Sequence, residues 1–272
     1  MTILNIIKLA IESAKKRILT NIDQASEYTD SVNPFGDRTL VLDMMAEEDI
    51  ISVLQSSGTE FAILTEEKGF LSSEKKPEYL ALVDPIDGSA NLKRGIPLVS
   101  TGVSVFPMMK NMTSDDAEIS VIESIFTDEL YIAIKGKGIT KNGKRVTTSN
   151  PVDIGDAIIS YDSKKTWDLE FLKCTMRTMN AVHDIRRTAT NLLDLCWTAS
   201  GQLDAMVDLR NMLPIIHLSG IHMVLEAGGF VLDQNGKRFR SPLQQNAMMN
   251  FVAASNEKLA RQILGAFNGS KI

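Results

Sequence analysis

The first twenty-two residues carry apolar side chains at the spacing of an amphipathic helix. Isoleucine or alanine recurs every three or four positions, and the charged residues fall mostly between them. This pattern predicts an opening helix with one buried face. A turn-rich stretch from Ser31 to Asp37 is expected to follow it, and a second helix is predicted from about Thr39 to Leu54.

Beyond residue 58 the apolar pattern shortens to runs typical of strands. Two of its turns are marked by glycine, at Lys135–Gly138 and at Asn142-Gly143, and Asn-Gly favours a tight reversal. The first half is therefore predicted to place helices on a largely antiparallel sheet. The predicted strands are Phe61–Leu64, Tyr79–Val83, Leu98–Phe106, Val121–Phe126 and Leu130–Ile134.

From about Asn150 strands and helices alternate, which is an α/β pattern. Without a long linker or a repeat, the chain is predicted to form two halves of one compact unit, residues 1–150 and 151–272. The predicted strands of the second half are Ala157–Tyr161, Leu203–Leu209, Phe230–Leu232 and Phe251–Ala254, and its predicted helices are Trp167–Asn180, Thr190–Ala199, Ile216–Ala227 and Glu257–Phe267.

Composition adds limits on compartment and partners. Hydrophobic residues make up 44% of the 272 residues and the net charge is −5, so a sizeable core is possible and neither nucleic acid nor an anionic membrane is an expected partner. Cys174 and Cys196 lack metal-type spacing and are too few for a disulfide framework. No apolar run reaches membrane length. A soluble, cytoplasmic protein is expected.

The most informative chemistry lies at Asp84-Pro85-Ile86-Asp87-Gly88-Ser89. Asp84 and Asp87 follow an apolar strand, Pro85 stiffens the turn between them, and Gly88 lets the backbone approach a ligand. Converging carboxylates repel each other unless a cation neutralises them. Carboxylate oxygens favour Mg²⁺, Mn²⁺ or Ca²⁺ over Zn²⁺. The sequence therefore predicts a divalent-cation site.

The alternative is a surface Asp-Pro turn with no ligand. Glu66 and Glu67 weigh against it, because they also follow an apolar strand and four acids at two strand ends are costly without a cation. Asp43 and Glu47 share one face of the second predicted helix. On their own, these two residues would be interpreted as a solvated helix face.

These motifs, taken in order, resemble the inositol monophosphatase family of Mg²⁺-dependent, Li⁺-sensitive sugar phosphatases. The resemblance covers nearly the whole chain and includes archaeal members with inositol monophosphatase and fructose-1,6-bisphosphatase activity. The segments that carry it are Gly36–Asp43, Thr65–Glu67, Asp84–Asn91, Gly95–Pro97, Gly136–Gly143 and Glu226–Gly229.

The resemblance implies an α+β fold with α-β-α-β-α layers, and a hydrolase that uses metal-activated water. Glu66, Asp84 and the Ile86 carbonyl would bind the first metal ion, and Asp84 and Asp87 the second. Glu66 would also count as a catalytic residue, because the ion it binds would activate the attacking water. Asp43 and Ser89 would orient and deprotonate the attacking water, with Ser89 at a position where the family usually has threonine.

The resemblance also implies a substrate site. The backbone amides of Gly88 and Ser89 would hold the phosphate at the start of a helix. Thr190 and Asn191 correspond to a family segment that lines the substrate pocket, and Asp208 and Arg210 are expected beside it. Arg186 and Arg187 could meet a second phosphate, or could be surface charges at a strand end.

The chain departs from the family at one metal ligand. The family has an aspartate ten residues before the glutamate of its E-A-G-G segment, and that position is Ile216 here. Three interpretations remain open: a weak second metal site with slow or altered turnover, substitution by His217 after a small shift, or ligand binding without turnover. For His217 taken alone, an ordinary helix residue is the favoured interpretation. A nitrogen ligand would suit Mn²⁺ or Zn²⁺ better than Mg²⁺.

The sequence thus predicts a phosphatase that acts on a small sugar or polyol phosphate, of the inositol monophosphate or fructose-1,6-bisphosphate type. Its cofactor would be Mg²⁺ or Mn²⁺, its partner a small phosphorylated metabolite, and its assembly a homodimer, as is common in the family. The alternative is a weakly active or non-catalytic protein of the same fold that binds a phosphorylated metabolite.

Overall fold

The computed structural model describes residues 1–34, 36, 38–73, 75–150, 152–163 and 168–270. Two long helices open the fold: α1 (Ile3–Thr20), whose first turn is capped by the Thr2 side chain, and α2 (Val41–Ser56). Between them lies a short hairpin of β1 (Tyr28–Val32) and β2 (Arg38–Leu40). The apolar faces of α1 and α2 pack against each other and against one face of the first large sheet.

That sheet has eight strands in the described part of the chain, in the order β10-β9-β8-β7-β6-β5-β3-β4. Its neighbours are antiparallel except for β3 and β5, which run parallel. A short helix, α3 (Ser89–Leu92), follows β5. The strands are β3 (Phe61–Thr65), β4 (Gly69–Leu71), β5 (Tyr79–Asp87), β6 (Ser100–Pro107), β7 (Ile119–Ser124), β8 (Leu130–Ile134), β9 (Gly138–Lys141) and β10 (Lys144–Val146).

The second sheet has five strands among the described residues, in the order β12-β11-β13-β15-β14. Strand β11 is parallel to both of its neighbours, and β15 is antiparallel to both of its own, so the sheet is mixed. The strands are β11 (Ile158–Tyr161), β12 (Asp184–Arg186), β13 (Ala205–Pro214), β14 (Phe230–Leu232) and β15 (Met248–Ala254). The helices are α4 (Leu169–Ala181), α5 (Asn191–Ala199), α6 (Leu218–Glu226) and α7 (Glu257–Asn268).

The elements stack in five layers. Helices α5 and α6 lie between the two sheets and share one apolar core with both of them. Helices α4 and α7 cover the far face of the second sheet, where a separate core forms. The α+β prediction, with a mainly antiparallel first sheet and helices and strands alternating in the second half, is confirmed. None of the described helices has the length and apolar character that crossing a membrane requires.

Several predicted boundaries need correction. The stretch from Ser31 to Asp37 is not simply a turn, because its flanks pair as the β1–β2 hairpin; Asp37 itself lies outside the described residues. Strand β5 continues past Val83 to Asp87. The helix expected from Ile216 begins at Leu218, after a 3₁₀ turn at Ile215–His217. Trp167, the predicted start of α4, lies outside the described residues.

The topology brings two groups of acids to one place. Strands β3 and β5 are parallel neighbours, with Thr65 paired to Val83. The residues that follow this pair, Glu66 and Asp84, therefore stand side by side at the carboxyl edge of the sheet. Because α5 and the 3₁₀ turn before α6 approach the same edge, side chains from the second half of the chain also reach it.

Candidate metal centre

Asp84 lies at the centre of the site. Its side chain is fully buried, and among the described residues no amide, hydroxyl or ring N–H donates to either carboxylate oxygen; its hydrogen-bonding neighbour is the carboxyl of another acid, Glu66. Burial raises the pKa of Asp84 well above its usual range, and the nearby charges of Asp87 and Asp43 raise it further. Burial, and then the charge of Asp84, also raises the pKa of half-buried Glu66 well above its usual range. A buried carboxylate that bonds to another acid is a group that a cation would satisfy.

Asp87 is fixed by the second half of the chain. Its Oδ2 accepts hydrogen bonds from Thr190 Oγ1 at 2.7 Å and from the Leu192 amide at 2.6 Å. Both donors belong to the start of helix α5, where amides are otherwise unpaired and a negative charge is favourable. The other oxygen, Oδ1, is directed toward His217. Asp87 therefore presents one oxygen to the site while the other is held.

His217 lies in the site, on the 3₁₀ turn that precedes α6. Its Nε2 is 3.2 Å from Asp84 Oδ2 and 3.8 Å from Asp87 Oδ1. Its Nδ1 is 3.2 Å from the Pro214 carbonyl oxygen. Burial lowers the pKa of His217, which favours the neutral ring. One ligand atom from each of Asp84, Asp87 and His217 lies within 4.8 Å of the others, so His217 is not an ordinary helix residue here.

Ile216, at the position of the family aspartate, is fully buried in the core between the two sheets. Its neighbour Ile215 is part of the same core. The 3₁₀ turn therefore uses two isoleucines as anchors and directs the next side chain, His217, toward the acids. Spacing along the sequence does not determine whether His217 reaches the acids, because that depends on which way the turn directs each side chain.

Asp43 and Ser89 form a second polar pair beside the acids. Asp43 is in the first turn of α2, where its Oδ2 accepts a hydrogen bond from the Leu40 amide. Ser89 Oγ lies 3.0 Å from Asp43 Oδ1 and 3.0 Å from the Ile86 carbonyl oxygen, and its one proton can be donated to either. Burial, followed by the charge of Glu67, raises the pKa of Asp43 to about 7.

Glu47 and Glu67 fix the backbone around Glu66 through hydrogen bonds to neighbouring residues. Glu47 is fully buried and accepts hydrogen bonds from Thr65 Oγ1 at 2.6 Å and from the Glu67 amide at 2.8 Å. Thr39 Oγ1 donates to Glu67 Oε2. The interpretation of Asp43 and Glu47 as a solvated helix face is therefore wrong. Their spacing of one helical turn was the available signal, and Glu47 fixes the turn that carries Glu66.

A cavity of about 740 Å³ opens above these acids. Its floor includes Asp43, Glu66 and Asp87. Its walls are cationic, and the positively charged residues that line it are Arg38, Lys93, Arg94, Arg187 and Arg210. An acidic floor under basic walls is suited to a cation at depth and a phosphate ester above it.

One wall of the cavity comes from the β1–β2 hairpin, which sequence analysis missed. The Tyr28 ring lies 4.3 Å from Arg38 Cζ and 4.7 Å from Lys93 Nζ, and Lys93 also donates to the Tyr28 hydroxyl at 2.9 Å. These contacts hold two cations at the mouth of the cavity. No periodicity in the sequence indicated them, because the hairpin strands are mostly exposed.

The predicted substrate residues fall into two groups. Gly88, Ser89, Asn191 and Arg210 line the cavity. Thr190 and Asp208 are fully buried and are not among the cavity-lining residues; Thr190 donates to Asp87, and Asp208 pairs with Arg210.

Arg210 connects two acids. Its Nη2 lies 2.6 Å from Asp208 Oδ2, and its Nη1 lies 2.8 Å from Asp162 Oδ1. Arg187 Nη2 lies 3.1 Å from the same oxygen of Asp162. Arg186, in contrast, pairs with exposed Asp184. Of the two neighbouring arginines, Arg187 is thus the one that lines the cavity.

Comparison with known proteins identifies the family. The model of the inositol monophosphatase family matches residues 2–271. The chain is 30% identical over 240 residues to the fructose-1,6-bisphosphatase/inositol-1-monophosphatase of Methanocaldococcus jannaschii. The aligned region covers 87% of this chain and 88% of the relative.

Solved structures agree with this assignment. A crystal structure of an inositol monophosphatase–fructose 1,6-bisphosphatase superposes with a TM-score of 0.84 at 27% identity, covering 98% of this chain and 100% of the other. The extragenic suppressor protein SuhB of Bartonella henselae superposes with a TM-score of 0.83 at 26% identity, covering 97% and 98% of the two chains. The chain therefore belongs to the inositol monophosphatase family.

Proposed function

We propose that this protein is a metal-dependent phosphatase that hydrolyses a small sugar or polyol phosphate, of the inositol monophosphate or fructose-1,6-bisphosphate type. The observation that carries the proposal is the carboxylate of Asp84, which is fully buried with no hydrogen bond from an amide, hydroxyl or ring N–H, and which lies beside Asp87 and His217. The cavity above it has the size of a small-molecule site and basic walls.

The residues present fit a divalent cation. Glu66, Asp84 and the Ile86 carbonyl would bind one ion, and Asp84 with the free oxygen of Asp87 a second. These are hard oxygen donors, which suit Mg²⁺ or Mn²⁺. When bound, the cations would lower the pKa of a water molecule and neutralise charge on the phosphate oxygens.

Asp43 and Ser89 are placed to handle the proton of the attacking water. The Ser89 hydroxyl lies within hydrogen-bond distance of Asp43 Oδ1, so Ser89 can accept a proton from water while it donates its own to the carboxylate. In the metal-free protein, burial and then the charge of Glu67 raise the pKa of Asp43 to about 7, so this carboxylate binds a proton readily. Helix α2 and the Leu40 amide hold this carboxylate in place.

Gly88 and Ser89 would position the phosphate. Gly88 has φ of +99°, and a Cβ added there would lie 2.8 Å from the Leu98 carbonyl oxygen. Only glycine therefore lets the chain turn here and expose the amides of residues 88 and 89 to the cavity. The cationic walls add attraction for the ester. Arg187 and Arg210 are set to meet its more distant anionic or hydroxyl groups.

The test is phosphate release by the purified protein. Inositol monophosphate, fructose-1,6-bisphosphate and phosphoadenosine phosphate are supplied with Mg²⁺ or Mn²⁺. We expect metal-stimulated release that is lost in Asp84→Asn and in Asp43→Asn. Asp153→Asn, which alters an exposed ion pair with Lys258, serves as the matched control and should retain activity. Absence of release from all three esters with both metals would contradict the proposal.

A second candidate is a weakly active or non-catalytic protein that binds a phosphorylated metabolite. The specific observation in its favour is Ile216, a buried core residue where the family has a metal ligand. This candidate predicts metal-dependent binding of inositol monophosphate in calorimetry without phosphate release. Phosphate release over many turnovers in the assay above excludes the non-catalytic form, and a kcat of at least about 1 s⁻¹ excludes the weakly active form.

Localisation and assembly are also part of the proposal. The homodimer is inferred from the family alone, and the cytoplasmic location remains a prediction from the sequence. Analytical ultracentrifugation at micromolar concentration tests the assembly, and a monomer under those conditions would overturn it.

A further inference from the structure

We propose that His217 is a direct ligand of the second cation, so that this position selects a first-row transition-metal ion such as Mn²⁺ or Zn²⁺ over Mg²⁺. The inference rests on the proposed metal centre and deepens it. It assigns an imidazole to the place where the family aspartate is missing.

The distances suit a shared ion. Two ligand atoms that each lie about 2.1 Å from an ion, at right angles, are about 3 Å apart. His217 Nε2 lies 3.2 Å from Asp84 Oδ2 and 3.8 Å from Asp87 Oδ1. The three side chains are buried, so bulk water does not satisfy these polar atoms in place of a cation. Their ligand atoms already converge on a common point.

The ring is held in the tautomer that a metal requires. Nδ1 lies within hydrogen-bond distance of the Pro214 carbonyl oxygen, which can only accept, so Nδ1 carries the proton. This leaves a lone pair on Nε2, facing the acids. A backbone carbonyl that orients a histidine through its other nitrogen is the usual support of a metal-binding imidazole.

A direct hydrogen bond from His217 to Asp84 does not account for the geometry. The two residues approach to 3.2 Å, yet the imidazole makes no hydrogen bond to either oxygen of Asp84; in the metal-free protein the Glu66 carboxyl is the side chain that bonds to Asp84. The imidazole therefore leaves Asp84 unsatisfied, as a ring does when its lone pair faces a carboxylate. A cation between them satisfies both groups.

The donor set determines which ion binds. Mg²⁺ prefers oxygen ligands and retains its waters, whereas an imidazole nitrogen suits first-row transition-metal ions. The first position, with Glu66, Asp84 and the Ile86 carbonyl, offers oxygen only. The site thus combines an oxygen-only position with one that includes nitrogen, and the two should differ in metal preference.

The experiment measures metal binding directly, apart from activity. Mn²⁺ binding to the metal-free protein is followed by the loss of the free-ion electron paramagnetic resonance signal, with Mg²⁺ as competitor. We expect two Mn²⁺ to bind per chain. Displacing one of them should require at least about tenfold more Mg²⁺ than displacing the other. In His217→Asp this difference should disappear, and in His217→Ala the second Mn²⁺ should be lost. His183→Ala, at an exposed histidine, is the matched control.

A spectroscopic measurement on the unaltered protein covers the case in which the variants fail to fold. Pulsed paramagnetic resonance of bound Mn²⁺ detects a directly coordinated ¹⁴N, and we expect one such nitrogen. Mn²⁺ binding with no coordinated nitrogen, or an unchanged preference in folded His217→Asp, overturns the inference. Two-ion binding without phosphate release would overturn the proposed phosphatase and leave this inference standing, whereas binding of no divalent cation would overturn both.

Discussion

Asp84 shows most directly how burial and function oppose each other. Its carboxylate is fully buried among other acids, and its raised pKa means that the folded protein disfavours the charged form. A site that costs stability without its ligand is typical of function rather than of packing.

Replacing this charge should separate the two effects. We expect Asp84→Asn to lower kcat by at least about a thousandfold, because a cation ligand is lost. In EDTA at pH 8, the same variant should melt higher than the wild type, since a buried charge is removed; about 1 kcal/mol corresponds to about 2–4 °C for a chain of this size. Calorimetry checks this, and a lower melting temperature would contradict it.

Ser89 provides a second test at the level of a single hydroxyl. Ser89→Ala removes the donor that lies 3.0 Å from Asp43 and should lower kcat by about 10²–10⁴-fold. Ser89→Thr is the matched control, because it keeps the hydroxyl and introduces the residue usual in the family. Steady-state kinetics with both variants decides the matter. Equal losses in the two would mean that packing, not the hydroxyl, is what the site requires.

At this scale the sequence located the acids but could not decide on His217. Asp84 and Asp87 were recognisable because a rigid turn after an apolar strand brings two acids together. The role of His217 depends on the rotation of a short 3₁₀ turn, which is determined by how Ile215 and Ile216 fit the core. Packing of that kind is a tertiary effect that local spacing does not encode.

Among the elements, the β1–β2 hairpin adds most to what the sequence predicted. It supplies Tyr28 and Arg38 to the cavity wall, and Thr39 from its second strand donates to Glu67. The sequence did not reveal it because the strands are short and lack an alternating buried face. A hairpin without its own core must be held by contacts with the site that it covers.

Thr39 tests whether the hairpin supports the metal centre. Thr39→Val removes a donor to Glu67, the neighbour of Glu66. We expect cation affinity to fall by about 10–100-fold, as is usual when support of a metal ligand is lost. Calorimetric titration with Mn²⁺ measures it. Thr148→Val, which removes a part-buried hydroxyl that donates to the Ser255 carbonyl oxygen outside the cavity lining, should leave the affinity unchanged and serves as the control.

Strand β5 shows why a boundary was misplaced. The sequence predicted a strand that ends at Val83, followed by a turn stiffened by Pro85, and proline is indeed unfavourable in the middle of a sheet. The structure continues the strand to Asp87, with the register to β6 interrupted between Asp84 and Asp87. Thr101 Oγ1 donates to the Pro85 carbonyl oxygen at 2.8 Å. The irregularity accommodates the proline and directs both acids toward the site.

For the whole molecule, the layered fold was predictable from the sequence, whereas the side-chain contacts between its two halves were not. Amphipathic periodicity and strand-like runs determined most elements, and the family resemblance implied their layers. The division at residue 150 remains a prediction, since α5 and α6 share one core with both sheets. Contacts such as Thr190 with Asp87 join residues about a hundred positions apart, beyond the reach of local pattern.

The acids of the site should make stability depend on pH in a way that metal reverses. In the folded protein without metal, Asp43 has a pKa raised to about 7 from an ordinary value of 3.8, so its protonated form is favoured. Its contribution to stability is full below about pH 4 and is lost as pH rises through about 7. Asp84 and Glu66 have raised pKa values and act in the same direction.

Divalent cations hold these carboxylates ionised and should remove the loss. We therefore expect the melting temperature with saturating Mn²⁺, minus that in EDTA, to grow between pH 4 and pH 8. The subtraction cancels His222, whose pKa is lowered to about 4, and buried Asp194, whose pKa is raised to about 7. Differential scanning fluorimetry at several pH values measures it, and a difference that stays flat would be evidence against the assignment.

The hydrogen bonds from the start of helix α5 to Asp87 also connect the two halves of the fold. One carboxylate is part of the first sheet, yet both of its bonded donors, Thr190 and Leu192, belong to an element that packs between the sheets. His217 reaches across the same seam. Under the proposed assignment, the side chains that would bind a cation also join the two sheets. The same contacts form the floor of the cavity and join the two sheets, so a change that weakens the contact between the sheets should also disturb the site.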